Sequence, residues 1–170
     1  MYGPPREGAF FNHLLKGKWV MRAVIQRVKS ASVMVDGQGL SRIGTGLCCL
    51  VGIEADDGPE DIDYLARKIC GLRVFDDDNA VMNLDVTEVG GEILLISQFT
   101  LMGDARKGRR PSYSHAEAPQ IAGKKFEALV AKVRELYAGN IETGKFQAMM
   151  DVSIINHGPV TILLDSKKLF

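Results

Sequence analysis

Three stretches of this chain gather groups able to do chemistry. In Ser97-Gln98-Phe99-Thr100-Leu101, two hydroxyls and an amide sit at the end of an apolar run. Strand ends at a sheet edge often hold sites, although the same spacing suits a strand exit whose hydroxyls cap its own backbone. In Asn156-His157-Gly158-Pro159-Val160-Thr161, a Gly-Pro pair separates two apolar runs. That pattern predicts a connecting turn, with a Gly-Pro bond of the ordinary trans kind unless something enforces cis. In Arg106-Lys107-Gly108-Arg109-Arg110, four positive charges fall within five residues. Such a loop can hold phosphates, or it can simply be solvated.

Familiar catalytic signatures are missing. Neither a Gly-rich phosphate cradle nor a His/Cys cluster with zinc spacing is present. Of the three histidines, His13 precedes the first regular pattern, His115 falls in a long loop and His157 in the expected turn. Nothing points to a Ser-His-Asp triad, and no metal or cofactor is expected.

The elements that must position these stretches follow from periodicity. Arg22 to Val28 and Ala31 to Val35 read as two strands, the second ended by the Asp36-Gly37 turn signal. Leu40 to Gly44 reads as its hairpin partner. Leu47 to Ile53 is apolar on both faces and predicts a central strand. Gly58-Pro59 opens a helix with the stripe Ile62, Leu65, Ala66, Ile69 and Leu72. Arg73 to Phe75 starts a strand, a polar turn follows at Asp76 to Asn79, and Glu92 to Thr100 reads as a second central strand. Met102 to Pro119 is a long loop of the kind often kept for function. Ile121 to Tyr137 is a second helix, with Gly139-Asn140 as its expected C-terminal cap. Met150 to Ile155 and Val160 to Leu164 close the chain as two strands. The predicted fold is α/β: a single mixed-sheet, barrel-like domain with two main helices.

Composition bounds what this domain does. The chain has 170 residues, 46% of them hydrophobic and 25% charged, the mix of an ordinary globular protein with a full core. Twenty-one basic residues balance 21 acidic ones, which argues against coating nucleic acid through bulk charge but permits a local basic patch. No run approaches the ~18 apolar residues of a membrane span. Three cysteines, two of them adjacent, suit small buried side chains in a reducing compartment better than a disulfide framework. Residues 1–20 lack sustained periodicity and read as a flexible extension, native or added; 21–170 read as the folded domain.

Taken together, MRAVIQRV (21–28), MNL (82–84), VGGE (89–92), SQFTL (97–101), KGRRPSY (107–113) and NHGPVT (156–161) resemble the D-aminoacyl-tRNA deacylases, also called D-tyrosyl-tRNA deacylases, in family order. The resemblance implies a homodimeric cytoplasmic hydrolase, with active sites at the subunit interface, that cleaves the ester between a D-amino acid and the 3′ end of tRNA. It also implies removal of glycine mischarged on tRNA(Ala). Ser97, Gln98, Phe99 and Thr100 match the family's catalytic wall, with backbone N–H groups near Phe99 and Thr100 as an oxyanion hole. Gly158 and Pro159, joined by a cis bond in the family, match the loop that rejects L-substrates; Arg27 matches the arginine that braces it, and Asn156 is expected to share in substrate binding and chiral selectivity. Lys145, Phe146 and Met150 match the adenine pocket, and Arg106 and Lys107 the grip on the tRNA end. His157 and Gln147 depart from the family pattern, which more often has Asp and a small residue there. Two alternatives stay open at this point: an editing hydrolase of relaxed chirality, and a non-catalytic module that binds charged tRNA ends.

Overall fold

The computed structural model describes residues 20–169. The expected extension therefore lies outside the described residues, save Val20, which is fully buried beside Met21. In chain order the elements are β1 (Arg22–Val35), β2 (Gln38–Ile43), β3 (Gly46–Gly52), α1 (Pro59–Gly71), β4 (Phe75–Asp76), β5 (Met82–Leu84), β6 (Glu92–Ser97), α2 (Pro119–Leu136), β7 (Ile141–Thr143) and β8 (Asp151–Asp165). A 3-10 turn at Phe99–Met102 follows β6.

One mixed sheet runs β2-β1-β3-β6-β7, with β8 on the other edge of β1. β1 pairs antiparallel with β2, β3 and β8; β3–β6 and β6–β7 are parallel. The parallel pairs need crossovers, which α1 and α2 provide. Strand β1 is shared along one edge, β3 taking Arg22 to Val28 and β2 taking Ala31 to Val35. The sheet thereby curls into a nearly closed barrel. Its convex face packs on the helices through Leu47, Cys49, Leu95, Leu65, Leu129 and Val133. Its concave face buries Val28, Ala31, Val33, Cys48, Leu94 and Ile96. Adjacent Cys48 and Cys49 thus enter opposite cores, and burial pushes the Cys48 thiol up to about 12.

Four expectations need correction. The first two strands are one, β1; what divides them in sequence is a change of phase. Ala23 and Ile25 face the first core and Ala31 and Val33 the second, with register shifts around Val28 accommodating the switch. The last two strands are also one, β8, which runs straight through the expected turn. Strand β6 stops at Ser97 rather than Thr100, because the chain coils into the 3-10 turn. Finally, α2 ends at an extended Tyr137 and not on a glycine cap. Gly139 instead makes room: a Cβ there would lie 2.2 Å from the Tyr137 hydroxyl, which donates to the Gly91 carbonyl.

Close approach of β3 and β6 depends on Gly46, where a Cβ would stand 1.9 Å from the Glu92 carbonyl oxygen. Gly46→Ala should therefore destabilise the fold by about 1–3 kcal/mol or more in urea titration. Gly71→Ala, where a Cβ meets nothing within 4 Å, should stabilise by about 0.4–1 kcal/mol.

Past β3, Glu54 and Asp57 are 3% and 4% exposed. Burial, aided by mutual repulsion, pushes Glu54 up to about 7. Burial also raises Asp57 to about 6, against a hydrogen bond from the Glu54 N–H. Unfolded carboxyls titrate near ~4. The folded chain thus keeps protons that the unfolded chain has lost, and the contribution of these groups falls as pH rises from about 4 to 7. The urea midpoint should drop across that window, and Glu54→Gln should flatten the drop.

Candidate functional site

The β6 exit is built by its neighbours. The last rung is the Gln98 N–H to the Val51 carbonyl, 2.7 Å. Gln98 then turns the chain (φ −137°, ψ 79°). The first bond of the 3-10 turn is Leu101 N–H to Gln98 C=O, 3.2 Å. The N–H groups of Phe99 and Thr100 precede that bond, so the turn itself does not use them. Gly52 lets the turn lie close on β3: a Cβ there would be 2.8 Å from Leu101 Cβ and 3.1 Å from the Gln98 carbonyl oxygen. The Arg22 guanidinium donates to the Leu101 carbonyl at 3.3 Å and holds the far end.

Side chains at this exit are arranged for orientation. The Gln98 amide donates to the Thr100 hydroxyl oxygen. An amide N–H is a donor and cannot take the hydroxyl proton, so this contact does not activate Thr100 as a nucleophile. Phe99 is 58% exposed, and the Tyr113 ring meets it edge-on with centroids 5.2 Å apart.

Ser97, Gln98 and Phe99 form one wall of a cleft of about 740 Å³. A second wall is the segment Phe146 to Met150, and a third runs from Tyr113 through Ala116 to Pro119 and Ala122. Phe146 and Met150 are partly core and partly cleft. The Phe146 ring leans on Phe126 at 6.5 Å and lies over Gly123, where a Cβ would be 3.3 Å away. Met150 sulfur fills the space beside Gly144. Between them Gln147 has φ +60°, a left-handed conformation that favours a residue without a bulky Cβ. Lys145 is exposed at the near end of this segment.

Loop residues 105–110 are exposed beyond the bridge between Asp104 and Ser112. Arg106 grips the Asp104 carboxylate at 2.6 and 2.9 Å. These bonds hold the Asp104 carboxyl well below the usual range. Lys107 is exposed on this loop. Neither basic residue lines the cleft, and nor does Lys145.

Gly158, Pro159, Arg27 and Asn156 also lie apart from that cleft. They form a second constellation where β8 crosses β1. Gln26 pairs with Thr161 and Val28 with Asn156, so residues 157–160 all stand opposite Arg27 alone. The excess chain bulges out, with Gly158 and Pro159 exposed. The Gly158–Pro159 peptide is cis. At the base of the bulge the Asn156 amide donates to the Thr161 hydroxyl, 3.2 Å. From behind, Arg27, 5% exposed, donates to the His157 carbonyl (3.1 Å), the Val74 carbonyl (2.7 Å) and the Asp76 carboxylate (3.2 Å). Gly158 sits at φ +124°, where a Cβ would be 2.8 Å from Val160 Cγ2 and 2.9 Å from Arg27 Nη2.

Sequence reasoning missed the third wall of the cleft. Tyr113 was visible only as part of a motif, and Ala116 to Ala122 offered a single charged residue, Glu117, with no partner in the local sequence. Their place in the cleft comes from the bridge between Glu54 and Ala116, which pulls the long loop back over the end of β3.

Comparison with known proteins agrees with this architecture. Residues 24–165 match the family model for D-Tyr-tRNA(Tyr) deacylase. The chain is 55% identical over 150 residues to a D-aminoacyl-tRNA deacylase of Thermosipho africanus, covering 88% of this chain and 100% of the relative. It is 54% identical over 147 residues to one of Desulfatibacillum aliphaticivorans, covering 86% and 100%. A solved structure described as "c-Myc DNA Unwinding Element Binding Protein" superposes with TM-score 0.81 at 40% identity, covering 84% of this chain and 97% of that one. A probable eukaryotic D-amino acid tRNA deacylase shares the fold at TM-score 0.72 and 16% identity, covering 86% and 100%. The chain belongs to the D-aminoacyl-tRNA deacylase family, hydrolases of the ester bond in D-aminoacyl-tRNA.

Proposed function

We propose that this deacylase checks the chirality of the esterified amino acid by steric exclusion, releasing D-amino acids, and glycine mischarged on tRNA(Ala), while sparing L-aminoacyl-tRNA. The observation that supports this best is the exposed bulge at residues 157–160, fixed from behind by a buried arginine. The enzyme works as a homodimer, and the bulge of one subunit caps the cleft of the other. The outer edge of β8 has no strand partner among the described residues, and Ile155 and Leu163 on it are 58% and 57% exposed. A long free edge with apolar side chains is a liability unless a second copy covers it.

In this reading the terminal adenine lies in the cleft against Phe146 and Met150, with Lys145 beside it. Arg106 and Lys107 meet phosphates of the acceptor end. The ester carbonyl oxygen faces the N–H groups of Phe99 and Thr100, which stabilise the tetrahedral oxyanion. Gln98 orients Thr100, and Ser97 fixes the strand end. Carbonyl oxygens of Gly158 and Pro159 accept charge-assisted hydrogen bonds from the α-ammonium. With ammonium and carbonyl both held, one direction remains for the side chain. A D side chain points out of the site, glycine has nothing to place, and an L side chain strikes the Gly158-Pro159 backbone. Water attacks the ester carbon; the ester C–O bond breaks, and the adenosine 3′-oxygen leaves as a hydroxyl. The neighbouring ribose 2′-hydroxyl assists, in place of a protein base. The three free, buried cysteines fit a reducing compartment such as the cytoplasm.

Deacylation time courses with D-Tyr-tRNA, L-Tyr-tRNA and Gly-tRNA test this. Wild type should clear the D and glycyl esters and leave the L ester. Gly158→Ala forces a Cβ into the contacts given above, and should lower kcat/KM for the D ester by about 100-fold. Thr100→Val should cost far less than the roughly 10²–10⁴-fold expected on losing an acid–base or nucleophilic group. Equal clearance of D and L esters by wild type would sink the chirality check.

A further inference from the structure

We propose that Lys125, on α2, is a positioning residue for the substrate cleft: its ammonium ties the third wall to the end of β3 and so sets the width of the site. The inference rests on the reading that this cleft receives the aminoacyl-adenosine end. Lys125 does not line the cleft and acts through residues that do.

The ammonium has three N–H donors, and three acceptors surround it. They are the Glu117 carboxylate at 2.6 Å and the carbonyls of Ala55 and Glu54 at 3.0 and 3.3 Å. The two side chains are 18% and 9% exposed, so the pair is poorly screened by water. The other Glu117 oxygen accepts the Ala118 N–H at 2.8 Å. Burial opposes the Glu117 charge, yet the bonds from Lys125 and Ala118 outweigh it and hold the carboxyl below its ordinary range. Around this centre the backbone is stitched twice: Glu117 N–H to the Ile53 carbonyl, 3.0 Å, and Ala55 N–H to the His115 carbonyl, 3.3 Å. Ile53, Ala116, Glu117 and Ala118 all line the cleft.

Without the ammonium, the same place holds one buried carboxylate facing two carbonyl oxygens, with the Glu54 and Asp57 carboxyls buried on the same turn. The two carbonyl oxygens offer it no donor. The wall from Tyr113 to Ala118 would move outward to hydrate Glu117. Tyr113 would then leave the edge of Phe99, and that side of the cleft would widen. An arginine in place of Lys125 does not reproduce the clamp, because a planar guanidinium cannot direct its donors to three acceptors spread around a tetrahedral centre.

The test compares wild type, Lys125→Met and the double variant Lys125→Met/Glu117→Gln by steady-state deacylation of D-Tyr-tRNA. Urea unfolding of each is measured alongside. Lys125→Met should raise KM by about 10-fold or more with kcat within about threefold, the signature of a misplaced wall and not of lost chemistry. The double variant removes the Glu117 charge together with its partner and should recover much of the KM, as expected when both members of a buried pair are replaced together. A merely structural role predicts lower stability with KM unchanged, and that result, or a double variant no better than the single one, overturns the assignment. Should Lys125→Met fail to fold, Lys125→Arg decides: it keeps the charge beside Glu117 but not the three-way clamp, so KM should rise several-fold with kcat within about threefold, and a KM at the wild-type value refutes the clamp. Failure of wild type to hydrolyse the D ester would instead refute the function proposed for the cleft.

Discussion

The organising constraint is the mismatch between β1 and β8 at Arg27. One residue on β1 faces four on β8, and the surplus chain has nowhere to go but outward. Such a bulge in the middle of a long antiparallel pair loses ladder hydrogen bonds and would slip or fray if left alone. Arg27 prevents this. Its guanidinium is buried, and three of its contacts tie the His157 carbonyl to the segment of the Val74 carbonyl and Asp76. Hydrogen bonds from a charged donor contribute roughly 1.5–3 kcal/mol each. Carbonyls supply most of the contacts, and Asp76 is half-exposed, so this is a hydrogen-bonded cation more than a buried ion pair.

That constraint shapes the sheet as well. The phase of β1 changes where the bulge sits: before it the strand feeds the core under the helices, after it the core inside the curled sheet. The same strand therefore joins both cores, curls the barrel and projects the 157–160 segment on one side. On the opposite edge β3 and β6 run parallel, and their shared end delivers Gly52, Gln98 and the 3-10 turn to the cleft. Two devices result, an exposed rigid bulge and a recessed cleft, each on regular structure but not touching within one chain. A neutral chain with one exposed basic loop is suited to a partner that presents only one charged end.

Much of this was readable from residue patterns, for identifiable reasons. α1 announced itself by Pro59 and a stripe at helical spacing, and β3 by an apolar run too short for a helix. Periodicity places helix α2 nearly to the residue but not its end, since a Gly-Asn pair after a helix also serves to clear space for a ring. The pattern of β8 reads as two strands because Gly-Pro inside an apolar run normally punctuates a strand. Only the partner strand and the buried arginine, 130 residues away in sequence, explain why it continues. The polar exits at Ser97–Thr100 and Asn156–Thr161 were visible as composition, whereas the wall from Tyr113 to Ala122 was not. Most of its lining residues are small or aromatic, and they and Glu117 acquire meaning only through the long-range bridge to Glu54.

The central claim is that the bulge of one subunit completes the cleft of its partner, and mixing subunits tests it directly. One parent is Gly158→Ala, which spoils the bulge and keeps the cleft. The other is Phe99→Pro, which removes one oxyanion N–H at the first position of the 3-10 turn, where proline is tolerated best. After subunit exchange, the measurement is D-Tyr-tRNA deacylation by the mixture, with hybrid dimers verified by mass. The account predicts two nearly inactive parents and restored activity in the mixture, because one hybrid site pairs an intact bulge with an intact cleft. Hybrids that form and stay as inactive as their parents would contradict it.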